Sequence, residues 1–239
     1  MRFFDLGTTR SLTAARPAAI FLTLTLTLTL AGCAAGRLRP ASSAHILPDV
    51  PNAAVAEQSG IRVAAEANDW NAAPDDLVER LTPIKVRIIN HSGEPIQLLY
   101  QQFALVGAHG HRYQPLPPAP IGDAAHVPPV HPVYAASKFF LAPRLHGVYP
   151  SLETWSAPLA RDDDFYARQV ARWDQDLPSH PMRRMALPEG VLADGGEISG
   201  FLYFENATRK ERRVTFQADL DAPPQGDQVA EIEIPFVVR

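Results

Sequence analysis

The chain has 239 residues, 46% of them hydrophobic, with 22 Lys/Arg against 26 Asp/Glu and a formal net charge of −4. That balance lacks the basic footprint of a nucleic-acid binder, so nucleic acid is excluded as an expected partner. One cysteine rules out an internal disulfide, so stability must come from a packed core, for which the length is sufficient.

In chain order, Arg2, Arg10 and Arg16 first set a positive balance against Asp5 alone. Ala18 to Leu30 is apolar, with Thr23, Thr25, Thr27 and Thr29 alternating with leucines. This length suits the apolar core of a secretory signal and is too short for a transmembrane helix. Leu30-Ala31-Gly32-Cys33 closes the segment. The pattern resembles the lipobox of bacterial lipoproteins. The resemblance implies recognition of Leu30, Ala31 and Gly32 by a signal peptidase and a cut before Cys33. It further implies diacylglycerol on the Cys33 sulfur and an acyl chain on its amine. No other cofactor is expected. The implied location is the bacterial cell envelope, anchored by lipid and facing the periplasm, and Ala34 in place of Asp fits outer-membrane sorting. The alternative is an ordinary secretory signal, which would leave Cys33 as a free thiol. Without residues 1–32 the chain loses three arginines and one aspartate, leaving 19 basic and 25 acidic residues and a net charge of −6.

Residues 33–58 hold Ala, Ser, Pro and Asn without sustained periodicity and read as the lipidated cysteine and a flexible tether, with the folded domain at 59–239. The alternative for this stretch is an N-terminal strand docked on the domain. Ile61, Val63 and Ala65 alternate with Arg62, Ala64 and Glu66, as a strand with one buried face. Pro74 to Arg80 reads as one or two helical turns. Ile84 to Asn90 is a strand, His91 to Glu94 a turn, and Pro95 to Leu105 one strand or two joined by a bend. Gly107 to His111 is a second turn, after which Arg112-Tyr113 resumes the strand.

Residues 115–194 read as an excursion. Twelve of the 23 prolines lie at 115–181, which forbids long central strands. Within it, Asp162, Asp163 and Asp164 begin a helix that carries Tyr166, Val170, Trp173 and Leu177 on one face and stops at Pro178. Ser179 caps a second short helix that runs through Leu187. Beyond the excursion, Ile198 to Phe204 is a strand. Val214, Phe216, Ala218 and Leu220 alternate in the next. Ala230, Ile232, Ile234, Phe236 and Val238 form the inner face of the last, in which Pro235 should sit at an edge or bulge. Short strands spaced by turns define a mainly β chain, an antiparallel sandwich.

Two stretches carry a further likeness. Leu81 to Asn90 with Phe103 to Val106 and Arg112-Tyr113, and Ala186 to Leu192 with Gly200 to Phe204, resemble immunoglobulin-like domains of uncharacterised bacterial lipoproteins. The resemblance spans residues 60–115 and 182–239. It implies an immunoglobulin-like sandwich in the envelope and carries no catalytic residue with it.

No serine-elbow or phosphate-loop motif occurs. Ser199 falls inside a strand pattern, and Cys33 is committed to lipid. Asp162 to Asp164, Asp174, Asp176, Glu189 and Asp194 are acids of the type a hydrolase uses, but capping, solvation and turns account for them. His109, His111, His126, His131 and His146 fall within 38 residues, and His180 comes later. His109 and His111 flank a glycine and are candidate zinc or copper ligands, although their spacing matches no compact metal signature. His180 with Met182 and Met185 has a weaker copper reading, since His180 lies off the methionine face and Arg183 and Arg184 adjoin it. The first expectation is a non-catalytic binding or structural domain with an unknown envelope protein or ligand as partner, on a membrane-anchored chain that is not an enzyme. A metal-handling lipoprotein is the alternative, and an envelope hydrolase the weaker one.

Overall fold

A computed structural model describes residues 36–118, 138–145 and 152–239. Residues 35–239 form one compact unit. The chain is mainly β, with two antiparallel sheets packed face to face.

The first sheet is built on β12 (Arg213–Ala222) and β13 (Asp227–Val238), a long hairpin. β1 (Leu38–Pro40) pairs the far side of β13. Along the other side of β12 run β7 (Phe103–Gly107) and, at Asp221, β6 (Ile96–Leu98). β8 (Arg112–Tyr113) adds to β7, while β10 (Gly190–Leu192) and β9 (Phe139–Leu141) extend from β6. The second sheet runs in the order β11 (Gly196–Glu205), β5 (Leu81–Asn90), β4 (Ile61–Ala67), β3 (Val50–Gln58), β2 (His45–Leu47).

Alternation decides which face is buried. Val214, Phe216, Ala218 and Leu220 of β12 and Ile232, Ile234 and Phe236 of β13 meet Ile84, Val86 and Ile88 of β5 and Val63 and Ala65 of β4 in one apolar core. Residues before and after the excursion therefore share a single core, as neither set of strands could bury its own face.

The reading of 34–58 as a tether is corrected. Residues 38–58 form three strands. Leu38 is 1% exposed in the core, and Ala53 and Ala54 of β3 are buried, Ala54 in that same core. β3 pairs with β4 along the second sheet, and β1 covers an edge of β13 that would otherwise be open. The folded domain thus begins more than twenty residues earlier than the sequence pattern implies.

The excursion is also more than an insertion, because β9 and β10 lie inside the first sheet. Helix α1 (Leu77–Arg80) supplies the expected turn before β5. Helix α2 (Asp163–Val170) begins at its aspartates, with the Asp162 carboxylate accepting from Phe165 N at 3.1 Å. It stops at Val170 rather than Pro178, and Arg172 and Trp173 turn away from the helix axis. Helix α3 (His180–Met185) is capped by Ser179, which accepts from Met182 N, and is shorter than expected. Pro235 sits inside a paired strand. Its oxygen accepts from Ala41 N at 2.9 Å, so its missing N–H lies on the β1 side, where pairing ends at Pro40.

A second apolar cluster covers the outer face of the second sheet. Phe201 and Tyr203 point outward from β11 and stack at 6.2 Å. Leu116, Leu177, Met182 and Ala186 close over them, with Trp70 and Trp173 packing edge-on. The two methionines therefore fasten α3 to the sheet. This cover leaves Leu81 to Ile84 buried on both faces.

Candidate functional site

The second apolar cluster opens at one side into a cleft of about 330 Å³. Leu81, Leu116, Leu177 and Trp173 give it an apolar lining, and the Trp173 indole is fixed by donating to Pro117 O at 2.8 Å. Four cations share the lining: Arg80, Arg172, Arg209 and Lys210. Two are engaged. Arg80 donates to both Asp176 oxygens at 2.8 and 2.6 Å and to Asp174 at 2.9 Å, while Arg172 lies 3.4 Å from Glu205. The Arg80 guanidinium holds the Asp176 carboxyl below its ordinary range. Arg209 and Lys210 are exposed and make no ion pair among the described residues. The cleft suits an apolar group on Trp173 and the leucines, with an anionic end near Arg209 and Lys210. Among the described residues its lining holds no serine, histidine or cysteine. Arg80, Arg172 and Arg209 come from three separate parts of the sequence, so no local spacing announces the cleft.

A second constellation is buried. Glu189, 4% exposed, accepts from Tyr100 N at 2.9 Å and from the Tyr166 hydroxyl. Tyr100 in turn donates its hydroxyl to Leu187 O at 2.9 Å. Burial pushes the Tyr166 phenol well above its usual range, and the Arg161 guanidinium, 3.8 Å over its ring, pulls the other way. The explanation of Glu189 by a turn alone is therefore corrected, because the residue is buried. Its carboxylate pins α2 and the start of β10 to the turn before β7. The Pro188-Glu189-Gly190 sequence carries only a turn signal, and nothing local marks the residue as buried.

The other sequence candidates separate. Cys33, Leu30, Ala31 and Gly32 lie outside the described residues, as do His126, His131 and His146. His109 and His111 are exposed on the β7–β8 turn, where His111 packs edge-on to Tyr113 at 4.4 Å. His180 is exposed at the start of α3. Among the described residues no three His, Cys, Asp or Glu side chains gather as a metal site. Asp162 caps α2, and the Asp194 carboxylate accepts from Gly93 N at 3.0 Å. Ser199 stands opposite Arg87 in the β11–β5 ladder.

By its geometry the chain is a two-sheet antiparallel β-sandwich with a half-apolar, half-basic cleft. No protein-family profile, no curated protein and no solved structure matches it.

Proposed function

We propose that this chain is a lipid-anchored cell-envelope protein whose sandwich, immunoglobulin-like in kind, binds or scaffolds a partner rather than catalysing a reaction. The observation that carries the reading is the lipobox pattern Leu30-Ala31-Gly32-Cys33, placed after an apolar run and just ahead of the first strand. Two acyl chains on the Cys33 sulfur and a third on its amine would hold the protein at the membrane. A single chain gives an association constant on the order of 10⁴ per molar, and each further buried CH₂ adds about 0.8 kcal/mol. The partner-binding surface on this reading is the cleft at Trp173, because it joins apolar area to unpaired positive charge.

Cys33→Ala tests the anchor. The variant should accumulate as precursor that keeps residues 1–32, while the wild type stays with membranes through a salt wash. Normal processing of the variant, or release of the wild type into the soluble fraction, would contradict the reading.

A further inference from the structure

Basic residues are unevenly distributed over the domain. Eight of them each pair with a carboxylate: Arg62, Arg80, Lys85 and Arg87 on the strands and their turns, Arg112 on β8, and Arg161, Arg168 and Arg172 in the excursion. The exposed cations that no ion pair among the described residues engages concentrate at one end. The terminal strands bring Arg37, Arg39 and Arg239 there, with Arg37 N and Arg239 N each donating to the other's carbonyl at 2.7 and 2.9 Å. The β11–β12 loop and the start of β12 bring Arg209, Lys210, Arg212 and Arg213 to the same end, joined to β13 by Val238 N donating to Arg212 O at 2.9 Å. All seven are exposed. Arg39 and Arg213 stand on either side of Val237 on the outer face of the first sheet, in one cross-strand row. The loop's acid, Glu211, is turned aside and accepts from the Tyr113 hydroxyl at 3.2 Å. A chain with an acidic balance thus presents a basic end.

The N-terminal segment enters at that end. Gly36 lies against Val238, where a side chain would collide with its Cγ1, and close to Thr208 O and Arg239 O. Three Cα–Cα steps separate it from Cys33, a reach of at most about 10 Å. The Debye length at physiological ionic strength is about 8 Å. A lipid on Cys33 would therefore hold the basic end within roughly one screening length of the headgroups, with no tether to lift it away.

We propose that this basic end is a docking face for an anionic phospholipid surface and that the sandwich sits directly on the membrane that anchors it. The proposal rests on lipidation of Cys33 for its setting, but the face itself is testable without lipid. Each basic residue near an anionic membrane is worth roughly fivefold in partitioning. Neutralising four of them should therefore weaken binding by well over tenfold.

The test uses residues 35–239, which form one compact unit with its own core, prepared without lipid. Sedimentation is measured with phosphatidylcholine vesicles and with vesicles that also contain phosphatidylglycerol, at low and at high salt. The domain should bind only the anionic vesicles, and salt should release it. The variant Arg37→Ser, Arg39→Ser, Arg212→Ser, Arg213→Ser should lose that binding while its thermal melt stays near wild type. Removing Arg62 and Arg87 instead should leave binding intact. These residues lie outside the cleft, so a cleft ligand does not confound the result. Equal binding to neutral vesicles, or full binding by the quadruple variant, would overturn the proposal. Absence of vesicle binding with Cys33 shown lipidated by mass spectrometry would overturn the docking face and leave the anchor standing. Salt-sensitive anionic binding with an unmodified Cys33 would uphold the face and remove the anchor.

Discussion

Glu189 shows how much one buried carboxylate can organise. It is reached by a backbone N–H before β7 and by a hydroxyl from α2, two elements far apart in sequence. Removing the hydroxyl in Tyr166→Phe leaves a buried carboxyl short of one hydrogen-bond partner, which should cost about 1–3 kcal/mol. Denaturant melts check this, and an unchanged midpoint would show that the contact carries no stability. Asp221 makes the complementary case. Burial raises its carboxyl above the ordinary range, the Gln102 amide at 2.9 Å opposes the rise, and Asp219 adds to it. A carboxyl with a raised folded-state pKa lends stability that is complete below its unfolded value and is lost as pH climbs through the raised one. The stability of wild type relative to Asp221→Asn should therefore fall as pH rises from below the ordinary carboxyl range and level off only above the raised folded-state value. Melts that show the difference growing with pH would reverse the assignment. Neither residue is legible from sequence, because burial of a single acid depends on which distant segments close over it.

Among the elements, β1 to β3 carry the main correction. Leu38 is the one large side chain of β1 in the core, and its carbonyl accepts from the Asn68 amide at 2.5 Å. Leu38→Ala should cost about 2–5 kcal/mol, the range for a leucine truncated in a packed core. A thermal midpoint within error of wild type would restore the reading of this stretch as a tether. β12, β13 and β5 were legible at Val214 to Leu220, Ala230 to Val238 and Ile84 to Asn90, where apolar residues alternate with polar ones. β3 hides because alanine serves at its buried positions and Pro51 and Asn52 stand in it, and β1 and β2 have only three residues each. The first turns of α2 and α3 were legible through their caps, Asp162 and Ser179. Their ends were not. An apolar residue at helical spacing, such as Trp173, is instead turned out to pack on Tyr203 and bond Pro117. The cleft fell below the horizon of sequence reading for the same reason, since Arg80, Trp173 and Arg209 meet only through tertiary packing.

At the scale of the whole molecule, two properties bear on each other. The sandwich core is continuous from Leu38 to Phe236, so its first strand lies only a few residues after Cys33. Seven exposed cations that make no ion pair among the described residues collect where that strand begins. A lipid at Cys33 would therefore set both the location of the domain and its orientation, with the cleft at Trp173, which shares Arg209 and Lys210 with the basic end, close to the bilayer. The account stands or falls on the state of that cysteine. Mass spectrometry of the N-terminal peptide from membrane-derived protein measures it directly. The mature chain should begin at Cys33 and carry diacylglycerol on sulfur and an acyl group on the amine. An unmodified Cys33 in protein recovered from the soluble fraction would contradict it.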